Sequence, residues 1–86
     1  MYFQLGFGKS VPTQCIWVGW LSPTTIRKVL FGAFGQFGHI THLLHDRKRL
    51  EALVFYEAWE TAQLAINEMR GRQVQGSKIH VSLFLY

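Results

Sequence analysis

The chain has a single cysteine, two prolines and five carboxylates among 86 residues. One cysteine, Cys15, cannot close an internal disulfide, which points to a reducing compartment. It has no second cysteine with which to share a zinc ion, and the four histidines lack finger spacing. No apolar run approaches the ~20 residues of a membrane-spanning helix, so no membrane partner is expected. No basic segment, apolar segment and cleavage site open the chain, so no secretory signal is expected. The few carboxylates, with no Ser-His-Asp order and no Cys-His pairing, form no catalytic constellation. Gly8-Lys9-Ser10 ends like a phosphate-binding loop, but Phe3 stands where its first glycine belongs and Pro12 interrupts the helix that should follow. No enzyme, cofactor or small-molecule substrate is expected.

What is present is apolar and aromatic material: 49% hydrophobic and 15% aromatic residues. That excludes a disordered tail, and the length fits one domain. The net charge of +4 is modest, but three of the nine basic residues sit together as Arg47-Lys48-Arg49. Such a cluster suits a polyanionic partner or a solvated turn.

Residues 14–20 form a short apolar run that reads as a buried strand. Ser22 is a candidate N-cap and Pro23 a candidate first helical residue. Apolar positions 26, 30, 33, 34 and 37 then keep helical spacing over 24–37, and Gly38 suits a left-handed stop. Residues 39–46 and 51–57 read as strands joined by the charged turn that starts at Asp46. Ala62, Ala65, Ile66 and Met69 mark a second helix over 58–70, with Gly71 as its stop. Residues 78–84 alternate as a last strand. This order predicts an α+β, ferredoxin-like β-α-β-β-α-β sandwich: a four-stranded antiparallel sheet with two helices on one face. Residues 1–13 stand outside it. They alternate like a strand, with Phe3, Leu5 and Phe7 on one side, and read as the end of a preceding sister motif or a linker. The domain proper is expected over 14–86.

Specific residues within this plan resemble the RNA-recognition motif family. Ile16-Trp17-Val18-Gly19-Trp20-Leu21 fits the family's first-strand hexamer, and Arg49-Leu50-Glu51-Ala52-Leu53-Val54-Phe55-Tyr56 its third-strand octamer. Phe34-Gly35-Gln36-Phe37-Gly38-His39-Ile40 is similar to the junction between its first helix and second strand. Ala62, Ala65-Ile66 and Met69-Arg70-Gly71 fit its second helix. Pro12-Thr13-Gln14-Cys15-Ile16-Trp17-Val18, after a strand ending Gly8-Lys9, looks like a junction between consecutive motifs in the split-ends (Spen) family. The resemblance implies an RNA-binding module of a multi-domain nuclear regulator of transcription or RNA processing. The implied ligand is single-stranded or looped RNA, with a sister motif or another protein as a further partner. The alternative is a protein-interaction version of the same fold with little RNA affinity.

Strand alternation names the residues of the open face. Ile16 and Val18 are expected in the core, so Cys15, Trp17 and Gly19 face outward. Ala52, Val54 and Tyr56 are expected in the core, so Glu51, Leu53 and Phe55 face outward. In the last strand His80, Ser82 and Phe84 face outward, with Lys78 before them, and His42 and Leu44 do so in the second. Trp17 is the base platform the resemblance implies. Glu51 and Leu53 stand where the family usually carries aromatic rings, so two platforms are missing. Phe55 is the partial substitute. Arg47, Lys48 and Arg49 form the candidate phosphate clamp. Trp20 and Trp59 are expected to be packing residues. Phe31, Val29 and Leu64 fall on the outward sides of the helices. Phe31 and Leu64, with Phe3, Leu5 and Phe7, are the candidates for a protein contact.

Overall fold

The computed structural model describes residues 14–84 in full and the backbone of residues 2–4 and 10–12. In chain order the elements are β1 (Tyr2–Gln4), β2 (Ser10–Pro12), β3 (Cys15–Gly19), α1 (Arg27–Gly35), β4 (Ile40–Asp46) and β5 (Glu51–Tyr56). They continue as α2 (Trp59–Met69), β6 (Gln73–Val74), β7 (Ser77–Lys78) and β8 (His80–Leu83). Four of the strands make one sheet in the order β4-β5-β3-β8, antiparallel throughout. The ferredoxin-like plan is therefore realised. β1 and β2 pair with each other as a separate hairpin, Phe3 opposite Val11. Among the described residues, no helix is long and apolar enough to cross a membrane.

One face of the sheet carries the core. Ile16 and Val18 of β3, Ala52, Val54 and Tyr56 of β5, and Val81 of β8 meet Leu30 and Phe34 of α1 and Ala62, Ala65 and Ile66 of α2. Period-two alternation in the strands and period 3.6 in the helices place these residues on facing surfaces. Alanines at 52, 62 and 65 let the layers approach closely. The Tyr56 hydroxyl crosses the core to donate to the Phe34 carbonyl at 2.7 Å. Burial pushes the phenol pKa well above its usual value, so it stays a protonated donor.

α1 starts later than its apolar spacing predicts. Ser22 does not cap it, and Pro23 is not its first residue. The Ser22 hydroxyl accepts the Thr24 N–H at 3.2 Å, and the Ser22 carbonyl accepts the Thr25 N–H at 3.0 Å. These local bonds close a turn that competes with the helix. The helix then begins at Arg27 behind Ile26, which offers no side-chain cap. It also ends at Gly35, short of Phe37. Gly38 is not left-handed; among the described residues the glycines with positive φ are Gly71 and Gly76. Gly38 is needed for space, because a Cβ there would lie 2.6 Å from the Thr61 methyl group.

The last strand is shorter than the expected 78–84. Lys78 pairs with Gln73 in a two-residue hairpin whose turn, Gln75-Gly76, takes positive φ at both positions. That is the backbone a tight hairpin with the native twist requires. The open-face strand begins only at His80, so Lys78 belongs to the hairpin at the sheet's edge and not to the open face.

Candidate nucleic-acid interface

The face of the sheet opposite the helices is a grid set by register. Trp17 lies between Leu53 on β5 and Ser82 on β8, and Leu53 pairs onward with Leu44 on β4. One row beyond, Gly19 pairs with His80, and Asp46 opposes Glu51. On the other side, Cys15 pairs with Phe55, and Phe55 with His42. A bulge between Ile40 and His42 sets this register. It turns His42 and Leu44 outward as expected.

Trp17 is half-buried, and the far end of its indole lies close against Gly19 of its own strand. A Cβ on Gly19 would overlap the ring at Cη2 and Cζ2. Glycine two residues on is therefore what leaves room for the indole in this position. The sequence carried this signal, since residues i and i+2 share a face.

The β5 positions face out as alternation demands, all half-buried. Leu53 supplies an aliphatic surface. Phe55 meets His42 edge to face, with centroids 5.9 Å apart. Cys15 points to the open side yet is 0% exposed. Phe55 is its register partner, and Phe84 donates its N–H to the Cys15 carbonyl at 2.9 Å. Burial pushes the thiol up to about 12, so it stays un-ionised and is a poor nucleophile.

Arg47, Lys48 and Arg49 are exposed on the β4–β5 turn. Asp46 organises that turn: its Oδ1 accepts the N–H groups of Lys48 at 3.0 Å and Arg49 at 3.1 Å. Arg49 also sits 3.9 Å from Asp46 Oδ2, but its side chain is 77% exposed, so this ion pair contributes little. A groove of about 910 Å³ runs from Trp17 and Leu53 past Leu44 and Glu51 to Arg47 and Lys48. Asp46 and Glu51 face each other directly across the strands, an unfavourable like-charge pair. The neighbouring basic turn offsets it. On the opposite face His45 has its pKa lowered, first by burial and then by Arg47 and Arg27, with Asp46 opposing.

Trp20 is the residue that sequence reasoning missed. Alternation would aim it into the core. Its φ of 62° instead places it in the left-handed region, which a bulky residue rarely adopts. The ring lies against His80, centroids 3.8 Å apart and planes tilted by 47°. It is 66% exposed, and Trp59 at the start of α2 is 42% exposed, so neither is the packing residue it was expected to be. The other expected β8 residues, His80 and Ser82, are exposed on the open face.

On the helices Phe31 and Leu64 are exposed as expected, whereas Val29 packs against the core. The Arg27 guanidinium sits 5.3 Å from the Phe31 ring centroid. Its Nη1 donates to the Leu43 carbonyl at 2.6 Å. Phe3 contributes backbone to β1, while Leu5 and Phe7 lie outside the described residues.

Planar rings, an aliphatic groove and a basic turn on the face opposite the helices suit a flexible polyanion with planar groups. Comparison with known proteins agrees. Residues 16–80 match the RNA recognition motif family. Over 78 residues, 91% of this chain, the sequence is 41% identical to Msx2-interacting protein of Mus musculus and of Homo sapiens. It is 38% identical to Protein split ends of Drosophila melanogaster over the same share. The chain spans about 2% of the length of the first two relatives and 1% of the third. The crystal structure of the RRM domain of S. pombe Puf1 superposes with a TM-score of 0.76 at 21% identity. That match covers 81% of this chain and 87% of the other, and shows the shared fold.

Proposed function

Since this chain belongs to the RNA recognition motif family, a family of RNA-binding modules, we propose that its open sheet face binds single-stranded or looped RNA. Trp17 is the central base platform. Leu53, Phe55 and Ser82 flank it, and Arg47, Lys48 and Arg49 engage phosphates at one end. The observation that carries this reading is the place of the Trp17 indole, against Gly19 and between Leu53 and Ser82 in the middle of the face opposite the helices. Stacking on such a ring contributes about 1–3 kcal/mol per base.

The likeness to Msx2-interacting protein and split ends supports a wider setting, a multi-domain nuclear regulator of transcription or RNA processing. Residues 1–13 then read as the end of a preceding sister motif or a linker. The separate β1–β2 hairpin is compatible with that. A neighbouring motif on a short tether would raise the effective RNA concentration at this one.

A second reading draws on Leu44, 57% exposed beside Leu53. An aliphatic patch at the usual ring positions suits a protein contact, as do Phe31 and Leu64 on the helices. An amide NMR titration with a mixed-sequence single-stranded RNA, at low and moderate salt, separates the two. Shifts centred on Trp17, Phe55, Ser82 and the 47–49 turn establish the sheet-face site. Shifts confined to the turn and abolished by salt mean charge attraction alone. No shifts favour the protein-interaction reading.

A further inference from the structure

We propose that Trp20 and His80 form a second nucleobase platform beyond the Trp17 site, with Arg70 and Lys78 receiving the phosphate beside it. The inference rests on the RNA-binding reading above and adds to it a place on the surface and a direction for the strand.

Three independent observations meet here. First, Trp20 is a bulky residue held in the left-handed backbone region. Such strain persists where the surroundings over-determine it, and it points to a role at that position. The consequence of the conformation is that an indole which alternation would bury is turned out to solvent. Second, the ring is already supported. His80 lies against it, with centroids 3.8 Å apart and planes tilted by 47°, while the indole stays 66% exposed and accessible to a ligand. His80 is the cross-strand partner of Gly19, on which the Trp17 indole rests. The two indoles therefore sit over adjacent members of one cross-strand pair.

Third, the charge beside the stack matches a nucleotide's phosphate. A depression of about 370 Å³ at the β8 edge is lined by Arg70, Lys78 and His80 and by no carboxylate. The short β6–β7 hairpin brings Lys78 to this edge, next to Gly71 and the end of α2. A strand of RNA stacked on Trp17 can thus continue over Trp20 and leave along the β8 edge. The stacking absent at Glu51 and Leu53 is supplied on the opposite half of the sheet.

The test uses the whole chain and a fluorescein-labelled mixed-sequence RNA decamer, read by anisotropy over a salt series. Trp20→Asn is the informative variant, because asparagine accepts the left-handed backbone and the fold loses no buried group. The expected result is a 5- to 150-fold weaker Kd, roughly the effect of one lost stacked base. The melting temperature should be unchanged or raised. In the wild type, the Trp20 indole N–H resonance should shift on RNA addition. Replacing Arg70 and Lys78 together by Gln should lower the salt slope by roughly one unit. If Trp20→Asn binds as well as wild type while Trp17→Ala does not, the platform is refuted and the sheet-face reading stands. If the wild-type chain binds no RNA, both fall. If Trp20→Asn alters self-association and not RNA affinity, the surface is a protein contact and the proposal is overturned.

Discussion

The two halves of the open sheet face use different chemistry. On β4 and β5 the central positions are Leu44 and Leu53, with the carboxylates Asp46 and Glu51 opposed at one end. On β3 and β8 the corresponding rows hold Trp17 over Gly19 and Trp20 against His80. The first half has exposed cations on its turn but no flat ring in its central row. The second has the flat rings, with cations at its edge. Stacking energy is local to a ring, whereas phosphate attraction acts over about 10 Å at ordinary salt. A sheet can therefore place bases on the ringed half while cations at both of its ends steer the backbone.

The largest test of that division removes the central ring. Trp17→Ala should weaken RNA binding by about 1–3 kcal/mol, while Leu53→Ala should cost well under 1 kcal/mol. Equal losses in calorimetric titration would erase the distinction between the halves. Gly19→Ala attacks the same ring without deleting it. The new methyl group overlaps the indole, which must lift from the strand, so affinity and stability should each fall by about 1 kcal/mol. A normal Kd together with a normal melting temperature would show that this close seat on Gly19 is dispensable. Leu53→Phe runs the other way. A ring on β5 should strengthen binding by up to about 1 kcal/mol if RNA crosses that half. No gain would confine the strand to β3 and β8.

Replacing Arg47, Lys48 and Arg49 with Ala should flatten the salt dependence by up to about two units, with little change at high salt. A slope unchanged from wild type would assign the turn to solvation alone. The smallest expected effect is on His45. Its folded pKa lies below the usual 6.5, so the unfolded chain takes up a proton first as pH falls. Stability from this site is complete above pH 6.5 and declines below it, towards the folded pKa. His45→Gln should make the melting temperature less sensitive to pH between 7.5 and 5.5. An unaltered pH profile would mean that His45 titrates freely.

The element order, the core positions of β3 and β5 and the outward set Trp17, Leu53, Phe55, His80 and Ser82 were legible in the residues. Each follows from a repeat of two or 3.6 under a burial requirement. The start of α1 was not, because Ser22 could cap a helix or close a turn, and only the bond to Thr24 distinguishes them. The β6–β7 hairpin was hidden inside a segment that alternates like a single strand, which misplaced Lys78. Trp20 was missed because alternation assumes extended backbone, and its φ leaves that region.

Periodicity and residue type were sufficient to specify the sheet, the side on which the helices lie and the presence of Trp17 on the open face, because burial of apolar surface acts on patterns that can be read along the chain. The pose of Trp17 over Gly19, the pairing of Trp20 with His80, the burial of Cys15 and the gathering of Arg70 with Lys78 depend on contacts between strands and on single backbone angles. Those arise only when distant segments pack, since the free energy of each contact belongs to the pair and to neither residue alone.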